Sequence, residues 1–167
     1  MLRTMLAGCF CFALAASDVI AQVRVPRTPV DAKVSVTIAL EIGSESYKYT
    51  GPGTCRHALQ ASIYDLPAEQ WTMEGKDGLR NVTLTLWQPK QGAGNMVSFA
   101  VNTGGKTHVV NTVKVSGQGS VRGSGTATLA PAGNGGTFTI NATAADGAKI
   151  SGTIKCDAFL APEPVGG

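Results

Sequence analysis

The stretch "YTGPGTCRHALQ" sets Cys55 and His57 two residues apart, directly after Gly-Pro-Gly. A thiolate and an imidazole so placed can ligate a metal or act together as nucleophile and base. His108 and Cys156 would complete a Cys2His2 set. Zinc sites of that composition bring their ligands as closely spaced Cys–Cys and His–His pairs, a pattern that is absent here. The alternative is a disulfide between Cys55 and Cys156, with His57 a partly buried neighbour and His108 a rim residue beside the Gly104-Gly105 turn. The disulfide is the expectation we adopt, with no metal and no cofactor.

Other constellations are weaker still. No "GxSxG" or related motif accompanies the many serines, so no nucleophilic triad is marked. Asp65 and Glu69 in "IYDLPAEQW" could act as paired acid and base only if that segment were helical, since they stand four apart. Otherwise they are solvated loop carboxylates. The glycine-rich "GAGN" and "AGNGG" precede no helix and read as hairpin turns, not phosphate loops. "NVT" (81–83) and "NAT" (141–143) are glycosylation sequons, which matter only in a eukaryotic secretory path. Three aromatic residues near one irregular segment, Tyr64, Trp71 and Trp87, are the candidate ligand-binding residues. Trp87 is the sharpest of them, because its strand turns it away from Val82, Leu84 and Leu86.

The elements that must hold these residues are strands. "KVSVTIALEI" alternates Val34, Val36, Ile38, Leu40 and Ile42 against polar partners, the signature of a half-buried strand. After a turn at "GSES", Ile42 is expected opposite Tyr47, Leu40 opposite Tyr49 and Glu41 opposite Lys48, with Val34 reaching Cys55. Pro52 should force a bend or bulge at Gly-Pro-Gly. Residues 61–70 are the least regular, with room for a helical turn. "WTMEGKDGLRNVTLTLW" reads as a hairpin placing Trp71 and Met73 on the face of Val82, Leu84 and Leu86. The Gly104-Gly105 hairpin sets Val101 opposite His108 and Phe99 opposite Val110. For "ADG", a three-residue loop with Gly147 left-handed sets Ile154 opposite Phe138 and Ile150 opposite Ala142, which keeps apolar residues on one face. Cys55 and Cys156 then both face inward.

The resulting fold class is all-β: a single-domain antiparallel sandwich or small barrel of eight or nine strands, mostly joined by hairpins. An outer-membrane barrel is disfavoured, because five Phe, three Tyr and two Trp cannot furnish aromatic girdles.

The N-terminus, "MLRTMLAGCFCFALAASDVIAQ", has one arginine, an apolar run shorter than a membrane span and small residues suited to cleavage. Residues 1–21 are therefore expected to be a cleaved signal peptide, 22–32 a linker, 33–160 the all-β domain and 161–167 a disordered tail. "LAGC" resembles a lipobox, but the apolar run continues past Cys9, which argues against lipidation there. Cleavage removes one Arg and one Asp, so the net charge stays +3. Lysine and arginine nowhere cluster, which excludes a nucleic-acid footprint. Export to a bacterial periplasm or the medium suits the disulfide. A loop of about 100 residues would gain roughly 4–5 kcal/mol from that bond, a large share of a total that is typically about 5–15 kcal/mol.

These features point to an exported, non-enzymatic β-domain that binds a small ligand or a partner surface. The alternative is a structural subunit of a cell-surface or periplasmic complex, with residues 22–32 reaching a neighbour. A hydrolase-type enzyme comes third.

Overall fold

A computed structural model describes residues 32–162. The expected signal peptide, almost all of the linker and residues 163–167 lie outside the described residues. Nine strands follow one another: β1 Val34–Ile42, β2 Glu45–Ile63, β3 Leu66–Asp77, β4 Arg80–Pro89, β5 Met96–Asn102, β6 Thr107–Asn111, β7 Ser124–Ala132, β8 Gly135–Thr143 and β9 Lys149–Cys156. They form one antiparallel sheet in the order β6-β5-β4-β3-β2-β1-β9-β8-β7. Its two edges approach each other. Asn111, at the end of β6, exchanges two backbone hydrogen bonds with Arg122 (2.7 and 2.8 Å), just before β7. Ala145, in the β8–β9 turn, donates its N–H to the Val109 carbonyl at 2.8 Å. The sheet is thus a nearly closed barrel, which decides between the two expected architectures.

Alternation builds the interior. Val36, Ile38, Leu40 and Ile42 of β1 are buried, as are Leu84, Leu86, Phe99, Phe138, Ile140 and Ile154 from the other strands. Burying each such side chain stabilises by about 1.5–3 kcal/mol. The barrel centre is filled, as in other small barrels, so a ligand has to be met at an end or on the outside.

The hairpin registers follow turn chemistry. β1 and β2 are joined by only Gly43-Ser44, with Gly43 at φ 60° as the first residue of a tight turn. Leu40 therefore pairs with Tyr47 and Ile38 with Tyr49, two residues from the expected register. A slip of two keeps every side chain on its face, so the interior is unchanged. Val34 meets Gly53, and Cys55 overshoots the start of β1.

Pro52 causes no bulge. Counting out from the Ile42–Glu45 pair, Ser35–Pro52 is a non-hydrogen-bonded pair, so the proline nitrogen faces away from β1. On its other side the pairing with β3 begins only at Gly53. No ladder bond is lost. The register shift in β2 comes later, between Ala58 and Ala61. Residues 61–70 hold no helical turn. They are a hairpin tip, Ile63 pairing with Leu66 across Tyr64 and Asp65. Both tip residues have positive φ, 47° and 64°, as a type I′ turn demands. Asp and Pro so close to the tip masked the strand pattern.

The other registers agree with expectation. Trp71 pairs with Leu86, Met73 with Leu84, Val101 with His108, Phe138 with Ile154 and Ala142 with Ile150. Gly147 has φ 87° in the last of these hairpins.

A second, smaller apolar cluster lies outside the barrel. Ile63, Ala68, Met96 and Val113 are buried together, with Leu66, Trp87 and Val115 packed against them. The segment after β6 supplies Val113 and Val115, covering outward-facing residues of the long β2–β3 hairpin and of β5.

Candidate functional site

Cys55 and Cys156 are bonded, with their Cα atoms 6.2 Å apart. Two strands separated by a third would stand about 9–10 Å apart. Here β1 has not yet begun opposite Cys55, so β2 and β9 close directly on each other. The chain leaving β9 stays in this gap. Leu160 donates its N–H to the Cys55 carbonyl (2.9 Å), and His57 donates its N–H to the Leu160 carbonyl (2.9 Å). Phe159 donates its N–H to the carbonyl of Asn134 in the β7–β8 turn at 2.7 Å. Outside, the Arg56 guanidinium donates to the Ala161 carbonyl at 2.9 Å. The disulfide and these bonds fix residues 157–161 as one wall at this end of the barrel.

His57 follows Cys55 with the same parity, so its ring also turns inward. It lies flat on Trp71, ring centroids 4.3 Å apart and planes 9° from parallel. Phe159 makes T-shaped contacts with His57, ring centroids 6.4 Å apart, and with Phe138 at 5.9 Å. Glu69, two residues before Trp71 on the same face, places Oε2 at 3.1 Å from His57 Nε2. That geometry assigns the Nε2 proton as the donated one. The His57 and Glu69 side chains are 25% and 36% exposed. His57, Glu69, Trp71 and Phe159, with Leu129 and Pro131 of β7, line an open groove of about 770 Å³.

The groove holds an imidazole and a carboxylate, two of the three groups of a nucleophilic triad. Among the described residues its lining offers no hydroxyl, and it offers no thiol because Cys55 is bonded to Cys156. For a metal, His57 and Glu69 are two donors, and no group of three or more His, Cys, Asp and Glu residues is gathered among the described residues.

His108 lies in a different place. It is buried, not on a rim as expected, because the β8–β9 turn folds over β6. Its Nδ1 is 2.9 Å from Asp146 Oδ2 but makes no aligned hydrogen bond, while Lys106 Nζ reaches the same oxygen at 2.8 Å. Lys106 first, and then His108, hold the Asp146 carboxyl well below the usual carboxylate range. This cluster fastens the turn onto the barrel edge. Tyr47 is a further buried polar group. Among the described residues its hydroxyl has no hydrogen-bond partner, Arg80 sits 4.5 Å above its ring, and burial pushes its pKa up.

The three aromatic candidates do not meet. Trp71, 6% exposed, is a groove wall. Tyr64 is exposed at the hairpin tip, beside Gly119. Trp87 faces outward onto the second apolar cluster, where the chain after β6 half-covers it. The His57–Glu69 pair, Leu129 and Phe159 escaped the sequence reading. Had Tyr64-Asp65 been taken as a two-residue turn, His57 would have fallen within a residue or two of Trp71.

No protein-family model, curated protein or solved structure matches this chain.

Proposed function

We propose that this protein is an exported, disulfide-stapled β-barrel that binds a small molecule in the groove beneath His57, Glu69 and Trp71. The observation that carries this reading is the groove itself. It is a concave, largely apolar surface that carries the His57–Glu69 pair and the amide residues Gln60 and Asn134, at the end of a barrel whose centre is full. Small-molecule sites share that composition and are often found at the mouths of barrels. The disulfide suits an oxidising compartment, and export is the matching half of the proposal. A His–carboxylate pair without a nucleophile favours binding over acyl transfer.

The test is a fluorescence titration with N-phenyl-1-naphthylamine, an apolar dye that is uncharged at neutral pH. Saturable one-to-one enhancement is expected, and Leu129→Arg should abolish it while leaving the circular dichroism spectrum intact. An enhancement that never saturates, or that survives Leu129→Arg, would overturn the reading.

A second reading, a subunit of a larger assembly, rests on β7. Its turn phase directs the N–H and C=O groups of Gly125, Ala127 and Leu129 away from β8. Among the described residues no backbone bond meets them. Such an edge is a template for another strand. Light scattering decides the matter: a self-assembling subunit is larger than a monomer, and Thr128→Lys on this uncharged edge returns it to one.

A further inference from the structure

We infer that the groove selects ligands carrying a protonated amine on an apolar, preferably aromatic, body. The inference rests on the groove being a binding site and names what it would take.

The groove's charge is that of one carboxylate. Among the described residues Glu69 is the only carboxylate lining the groove, and no lysine or arginine lines it. The sign is opposite to the protein's net charge of +3, so it is a local property of the site. Among the described residues the one hydrogen bond to Glu69 comes from His57 and uses Oε2. A carboxylate can accept several bonds, and one donor leaves capacity unfilled. While the groove is open, water meets that capacity. A ligand that covers the groove displaces the water, and a half-satisfied carboxylate under an apolar lid is costly. A ligand carboxylate would add repulsion, and an alcohol would replace only the lost hydrogen bond. An ammonium group supplies donors and the opposite charge together.

The rings agree with this choice. His57, Trp71 and Phe159 cluster beside Glu69, with His57 4.3 Å from Trp71 and 6.4 Å from Phe159. Aromatic faces near a carboxylate suit a cation, because the negative face of the ring quadrupole attracts it. Leu129 and Pro131 on the opposite wall offer apolar contact to the rest of the ligand.

Three probes of one shape separate the possibilities: 2-phenylethylamine, 2-phenylethanol and 3-phenylpropionate. Each is titrated into the full chain, followed by amide chemical shifts in 1H–15N spectra and by displacement of N-phenyl-1-naphthylamine. The amine should bind about tenfold more tightly than the other two, the ratio expected of a hydrogen bond to a charged group. Its shifts should centre on His57, Trp71 and Phe159. Glu69→Gln keeps the shape and an acceptor for His57 while removing the charge, and should bring the three probes within about threefold of one another. If the alcohol or the acid binds as tightly as the amine, or the amine keeps its advantage in Glu69→Gln, the amine inference fails and the groove reading stands. If dye and probes alike leave the groove resonances unmoved, both fail.

Discussion

Leu160 and Cys55 share a backbone hydrogen bond of 2.9 Å, which places the chain after β9 in the strand position that β1 leaves empty beside β2. The groove therefore depends on a cross-link. One wall is strand β2 with His57, the other is the segment bearing Phe159, and Cys55–Cys156 ties the two together within three residues of each. The groove should be only as ordered as that connection.

Replacing both cysteines with serine should cost stability of up to about 4–5 kcal/mol, the entropy of closing a loop of this length. The bond spans 101 residues. Urea unfolding measures the loss. Hydrogen exchange should also show the His57 and Leu160 amides losing protection before those of β4 and β5. Intact mass under denaturing, non-reducing conditions should find neither cysteine alkylated in the native sequence.

The two tryptophans should part company. Trp71→Ala removes a buried ring from beneath His57 and is expected to cost about 3–5 kcal/mol. Trp87→Ala removes a ring that is only half-buried against the outer cluster, and should cost less, about 1–2 kcal/mol. Thermal and urea denaturation compare them. Dye binding should be unchanged in Trp87→Ala.

Asp146 sets an acid limb. Its carboxyl is depressed in the folded state by Lys106 and His108, so the unfolded chain takes up a proton there first as pH falls. The stabilisation is complete above the ordinary carboxylate range, about pH 4, and drains away as pH falls toward the lower folded value. Melting temperature against pH should fall less steeply below about pH 4 in Asp146→Asn than in the native chain. Identical slopes would remove Asp146 from the acid response.

Gly53 should not tolerate a side chain. A Cβ there would stand 2.6 Å from the Glu74 carbonyl oxygen and 2.7 Å from Val36 Cγ2. Gly53→Ala is expected to cost about 1–3 kcal/mol through overpacking. Gly94, whose Cβ position is open, is the control and should accept alanine with little change in urea midpoint.

The sequence by itself determined most of the strands, their faces and the cysteine pair. Period-two alternation is local: Val36, Ile38 and Leu40 must share a face whatever lies opposite, and the three-residue loop at Gly147 followed from keeping Ile150 and Ile154 with Ala142 and Phe138. Even the β1–β2 register, displaced by two, left every side chain on its proper side. Tertiary structure alone decided that the sheet curls into a barrel, because nothing in one strand reports that β1 lies beside β9. It also decided the groove. His57 and Glu69 are twelve positions apart on strands whose turn, Tyr64-Asp65, carries no glycine to announce it, and Phe159 arrives from the far end of the chain. The two strands meet in one hairpin, but only closure of the barrel sets Phe159 and β7 opposite them, since that contact depends on β9 pairing with β1 and no local pattern encodes it.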